Sequence, residues 1–193
     1  MKFRDITSTP NLLTLLRMIF IPFIATAIFE GEYIWALGLF VLAGLSDGLD
    51  GLLARRMNQR TVLGQYLDPI ADKLLLSTIF LVLAVAHKIP WKFTIMVFSR
   101  DVGILIVCAV LYMTTPLRDF SPSVFGKANT LAQIVTIFLV MFDEITAAPW
   151  VTTLKNVGLW TAFALTLISW IHYTLLVGQR LRAASSASRP ATP

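Results

Sequence analysis

The chain has 193 residues, 56% of them hydrophobic and only 14% charged. A soluble domain usually carries about a quarter charged residues, so the composition argues against a water-soluble fold and for a lipid environment. The single cysteine, Cys108, excludes an internal disulfide and a thiolate metal cluster, and His87 and His172 lack the spacing of zinc ligands. The net charge of +5 suits an anionic membrane leaflet, so membrane lipids, and no nucleic acid, are expected as partners.

Met1–Pro10 carries Lys2, Arg4 and Asp5 and is expected to form a short interfacial helix. A bilayer core of about 30 Å needs roughly 20 mostly apolar residues in a helix. Six stretches approach this: Leu12–Phe29, Tyr33–Ala54, Asp68–Ala86, Trp91–Met113, Gly126–Phe142 and Val151–Val177. Glu30-Gly31-Glu32 reads as a tight turn, Lys88-Ile89-Pro90 and Ala147-Ala148-Pro149 as breaks, and Thr114–Pro122 as a loop. Strands are excluded by the sheet edges that they would expose to lipid. The expected fold class is therefore all-α, a membrane bundle of six transmembrane helices. One domain spans residues 1–182, and the Ala/Ser/Pro-rich tail 183–193 is expected to be disordered. Six spans put both termini on one side. Twelve basic residues fall on that side against three, Lys88, Lys92 and Lys155, on the other, with Arg100 inside the fourth span. That excess places both termini in the cytoplasm, with the loop between spans two and three.

The chemistry concentrates around that loop. Asp47 and Asp50 are three residues apart and share a helix face, continued by Gly51 and Ala54. Asp68 and Asp72 are four apart and share a face of the next helix. The short linker Arg56–Leu67 makes the two helices antiparallel neighbours, so four carboxylates are expected to converge at the membrane boundary. Carboxylates that close repel one another in a low-dielectric site and call for neutralising cations. Hard cations such as Mg²⁺ or Mn²⁺ take all-oxygen ligands and share substrate phosphates, and a pair of them can clamp a diphosphate. Gly48 and Gly51 leave room for a ligand, and Pro69 suits the first turn of span three. One aspartate could be a helix cap; four with small residues between them are functional candidates at membrane depth.

At these residues the chain resembles the CDP-alcohol phosphatidyltransferase family, whose signature is D-x2-D-G-x2-A-R-x8-G-x3-D-x3-D. Asp47, Asp50, Gly51, Ala54, Arg55, Gly64, Asp68 and Asp72 fill every fixed position. The resemblance implies that Asp47, Asp50 and Asp68 hold divalent ions against the diphosphate of CDP-diacylglycerol. It implies that Asp72 lies at the metal site as well and is the general base. Gly51, Ala54, Arg55 and Gly64 would line the nucleotide pocket. A bacterial inner membrane is the expected location, and a homodimer is left open.

Other signals concern the acceptor. Asn11, Thr14 and Arg17 stand at spacings of three on one face and could reach phosphates; helix capping and snorkelling to headgroups are the plainer readings. Arg100, inside span four beside Asp101, could anchor an acceptor phosphate or form a structural ion pair. Lys127 opens span five and could meet a phosphate or merely follow the charge bias. The opening Pro10–Arg17 and Gly126-Lys127 resemble the glycerophosphate branch of the family, implying glycerol 3-phosphate as acceptor, with phosphatidylglycerol as the alternative. Arg100-Asp101 and Asn129 depart from the usual Arg-Glu and lysine of the glycerol 3-phosphate enzymes, towards the phosphatidylglycerol-using ones. A divalent-cation transporter would instead need acidic groups near the bilayer midplane, often in a broken helix. A non-catalytic scaffold leaves the carboxylates unexplained.

Overall fold

The computed structural model describes residues 9–57, 62–114 and 124–187, and these form six helices and no strand. They are α1 Thr9–Phe29, α2 Tyr33–Met57, α3 Val62–Val85, α4 Trp91–Thr114, α5 Val124–Thr146 and α6 Pro149–Ala187. The expected interfacial helix at the N-terminus and the expected loop after α4 lie outside the described residues.

Three turns join the helices into hairpins, and each has a local cause. After α1 the chain turns at Gly31, φ 78°, where the Glu32 N–H donates to Ala27 C=O at 2.8 Å and the Gly31 N–H to Ile28 C=O at 3.2 Å. This paired closure satisfies two carbonyls left over at the helix end. His87, φ 58°, repeats it after α3, with Lys88 N–H on Leu83 C=O and His87 N–H on Ala84 C=O. Ala147, φ 47°, ends α5, and Pro149 opens α6, where its missing N–H costs nothing.

The turns meet at one end of the molecule. Lys88 Nζ donates to Glu144 at 2.6 Å, near the end of α5, and stands 5.3 Å from the ring centre of Tyr33 at the start of α2. Beside them Lys155 of α6 pairs with Asp143 of α5, which also accepts from Thr152 at 2.6 Å. α1 packs on α2 and α3, α4 on α3 and α6, and α5 on α6 and α2. The core they share runs from Ile24 and Ile28 through Phe40, Ile79, Phe80 and Leu83 to Val97, Ile137 and Met141.

Two expectations change. Helix α3 begins at Val62, so Pro69 falls in its interior instead of its first turn. Helix α6 runs on to Ala187, so 183–187 continue it where a disordered tail was expected; Ala183, Ala184 and Ala187 are strong helix formers. Among the described residues two helices, Gly126–Thr146 and Pro149–His172, are long and apolar enough to cross a membrane, with shorter apolar helices at Leu16–Phe29 and Tyr33–Ser46. Large apolar side chains cover the outside. Ile34, Trp35, Leu131 and Leu175 are each more than 60% exposed, a surface that water-soluble monomers rarely present.

Candidate active site

The site lies towards the end opposite the three turns. Asp47, Asp50, Gly51, Ala54 and Arg55 stand in the second half of α2, and Gly64, Asp68 and Asp72 in the first half of α3. For all of these except Asp72, and for Asn11 and Thr14 on α1, the side chains lie outside the described residues. Helical geometry keeps Asp47 and Asp50 on one face of α2, and Asp68 and Asp72 on one face of α3.

Asp72 is the aspartate whose surroundings are described. Its Oδ1 accepts from Nη1 of Arg17. The arginine is 1% exposed and the aspartate 41%. Arg17 therefore does not snorkel to headgroups; the packing of α1 on α3 carries it inward onto Asp72. A buried guanidinium is tolerated where a carboxylate compensates it, so the pair is a local demand for charge balance, met here within the protein.

Asp72 also lines a cavity of about 150 Å³ with Lys73, Leu76, Arg100, Asp101, Thr130 and Gln133. Two anions and two cations thus face one small space. Arg100 and Asp101, neighbours in sequence, pair at 2.6 Å, and both are 6% exposed. Arg100 Nη2 donates to Ser169 of α6 at 3.1 Å, and Ser77 of α3 donates to Asp101 at 3.3 Å. The ion pair therefore ties α4 to two other helices, and it coexists with an Arg100 Nε that has no hydrogen-bond partner among the described residues. The structure brings Arg100, Arg17 and Asp72 into one neighbourhood. Lys127 is exposed near the start of α5 and does not line the cavity.

Sequence reasoning passed over Gln133. Asn129, Gln133 and Thr136 follow one another at four and three residues along α5, and all are at most 2% exposed. A polar stripe at that spacing in an apolar helix was the available signal. Asn129 Oδ1 lies 2.9 Å from the Thr166 hydroxyl, which also reaches Ala162 C=O at 2.7 Å.

Among the described residues no three ligating side chains gather to hold a metal ion. The four aspartates that the sequence offers as metal ligands would present carboxylate oxygens alone, a donor type that suits a hard divalent ion.

The human cardiolipin synthase (CMP-forming) is 37% identical over 146 residues, covering 66% of this chain and 48% of that protein. The chain thus spans about half the length of that relative. The CDP-diacylglycerol--glycerol-3-phosphate 3-phosphatidyltransferase of Aquifex aeolicus is 32% identical over 174 residues, covering 87% of this chain and 94% of that enzyme. The enzyme of the same name from Salmonella choleraesuis is 34% identical over 171 residues, covering 85% of this chain and 91% of that enzyme. Residues 7–168 match the family described as CDP-alcohol phosphatidyltransferase, and the chain belongs to that family.

Proposed function

We propose that the chain is an integral membrane enzyme that transfers a phosphatidyl group from CDP-diacylglycerol to sn-glycerol 3-phosphate, giving phosphatidylglycerophosphate and CMP. The observation that carries this reading is the cavity, which sets Asp72, a candidate base, beside Arg100, a candidate phosphate anchor. Asp47, Asp50, Asp68 and Asp72 would hold one or two divalent ions, Mg²⁺ or Mn²⁺, which supply positive charge to the diphosphate when bound.

The protein's own groups have separate tasks. Arg17 anchors the Asp72 carboxylate through Oδ1. Asp72 takes the proton of the acceptor hydroxyl as that oxygen attacks the phosphorus bearing diacylglycerol. The bond from phosphorus to the CMP oxygen breaks, and CMP leaves with the electron pair. Gly51, Ala54, Arg55 and Gly64 are assigned to the nucleotide. Arg100 holds the acceptor phosphate, with Asn11, Thr14 and Lys127 as the outer candidates for phosphate contact. The lipid tails stay in the bilayer, which the exposed apolar surface supports, and six spans with both termini in the cytoplasm follow from the charge bias.

A second reading takes phosphatidylglycerol as the acceptor. It is favoured by the human relative and by Asn129, a fully buried neutral amide. The deciding experiment offers glycerol 3-phosphate and phosphatidylglycerol separately to the purified protein with CDP-diacylglycerol and Mg²⁺, and identifies the lipid formed. Glycerol 3-phosphate should be consumed with release of CMP. An excess of chelator should stop turnover, and added Mg²⁺ or Mn²⁺ should restore it; undiminished CMP release in chelator removes the metals from the reading.

A further inference from the structure

Gln133 has no role in the reading so far. It is 2% exposed and stands in a helix long and apolar enough to cross a membrane. Its Nε2 has no hydrogen-bond partner among the described residues, and neither has Arg100 Nε. A buried N–H donor without an acceptor is costly, and a native structure that keeps one needs a reason. Two such donors belong to side chains lining one cavity, with Asp72 on its wall. At about 150 Å³, the cavity has room for a small polyol phosphate head.

We propose that Gln133 is a specificity-determining residue for the acceptor. Its amide, with Arg100 Nε, binds oxygens of a glycerol phosphate head. The source is either free glycerol 3-phosphate or the headgroup of phosphatidylglycerol. This inference rests on the phosphatidyl-transfer reading above and adds a residue to it. A carboxamide can donate from Nε2 and accept at Oε1, so it can bind a hydroxyl and a phosphate oxygen alike. Lysine at that place would offer donors alone. A site built from buried hydrogen-bonding groups rejects ligands that leave them unpaired, which makes Gln133 a selector and not only a contact.

The test is steady-state kinetics with CDP-diacylglycerol and Mg²⁺, each acceptor offered alone. The acceptor that the unaltered protein turns over identifies the source. Gln133→Leu keeps the side chain's bulk and removes the amide. It should raise KM for that acceptor at least tenfold and leave KM for CDP-diacylglycerol within twofold. Gln133→Glu is closer in shape and sets a carboxylate against the phosphate, so the acceptor KM should rise further. A glutamine with only a structural role gives another pattern: the acceptor KM stays within twofold, or both KM values move together, and either result overturns the proposal. Metal-dependent CDP-diacylglycerol binding checks that each variant is folded. Should Gln133→Leu fail that check, the split between the two KM values in Gln133→Glu decides. Unaltered protein that releases no CMP with either acceptor would sink the transfer reading itself, whatever Gln133 does.

Discussion

At the scale of single residues, Asp72 is where sequence and structure bear on one side chain. The spacing from Asp68 makes it a candidate metal ligand and base; the structure adds the buried Arg17 on its Oδ1. Asp72→Asn should therefore keep metal-dependent CDP-diacylglycerol binding and lose most turnover, by about 10²–10⁴-fold, the usual contribution of a general base. The residual rate should rise less steeply with pH, because the titrating base is gone. Near-normal turnover with an unchanged pH profile would place the base elsewhere. The pairing of the carboxylates along α2 and along α3 was legible because three- and four-residue spacings keep one face in any helix. The Arg17–Asp72 pair was not, since its partners are 55 residues apart in sequence and meet only through the packing of α1 on α3. Gln133 was missed for a related reason: a lone glutamine in an apolar run carries no signal until its buried neighbours Asn129 and Thr136 are read with it.

At the scale of helices and turns, the hairpins were legible where the chemistry is local. Gly31 and Pro149 mark their turns in the sequence itself. The ends of α2 and α3 were harder, because apolar length alone sets no stop, and polar residues up to Met57 and from Val62 remain helical. The turn at His87 offers a measurement of backbone strain. His87 is exposed and holds φ 58°, a region that costs an ordinary residue about 1–2 kcal/mol and glycine little. Part of the gain from glycine is lost to the greater freedom of the unfolded chain. His87→Gly should therefore stabilise the protein by about 0.5–1 kcal/mol in a thermal melt, without touching either KM. Gly31→Ala should do the reverse. A Cβ there meets nothing within 4 Å, so its cost is conformational alone. A destabilised His87→Gly would mean that the imidazole contributes more than its backbone costs.

At the scale of the whole molecule, the two ends have different work. One carries the cavity, Arg17 and Asp72. The other carries the turns, with Trp35, Trp91 and Trp150 at 45–70% exposure beside them, as in the aromatic belt of a membrane interface. Two ion pairs fasten that end. Lys88–Glu144 is partly exposed and contributes about 0.2–1 kcal/mol. The Glu144 carboxylate raises the Lys88 pKa above the ordinary lysine value. Its stabilisation is therefore complete below that ordinary value and fades only as the pH climbs through the raised one, so it is constant across neutral pH. Lys155–Asp143 is the stronger fastening, at 15% and 9% side-chain exposure. Removing one member of a buried pair strands the other charge, at about 3–5 kcal/mol; the Thr152 hydroxyl on Asp143 keeps the loss near the lower figure. Lys155→Met should thus lower the melting temperature by several degrees, at about 2–4 °C per kcal/mol for a chain of this size. Adding Asp143→Asn should recover much of the loss, because the stranded charge disappears. Neither variant should change KM for CDP-diacylglycerol or for the acceptor, since the fastening sits at the far end of the helices from the cavity. A Lys155→Met protein with normal melting and a raised KM would show that the two ends are coupled and that this division of labour is wrong.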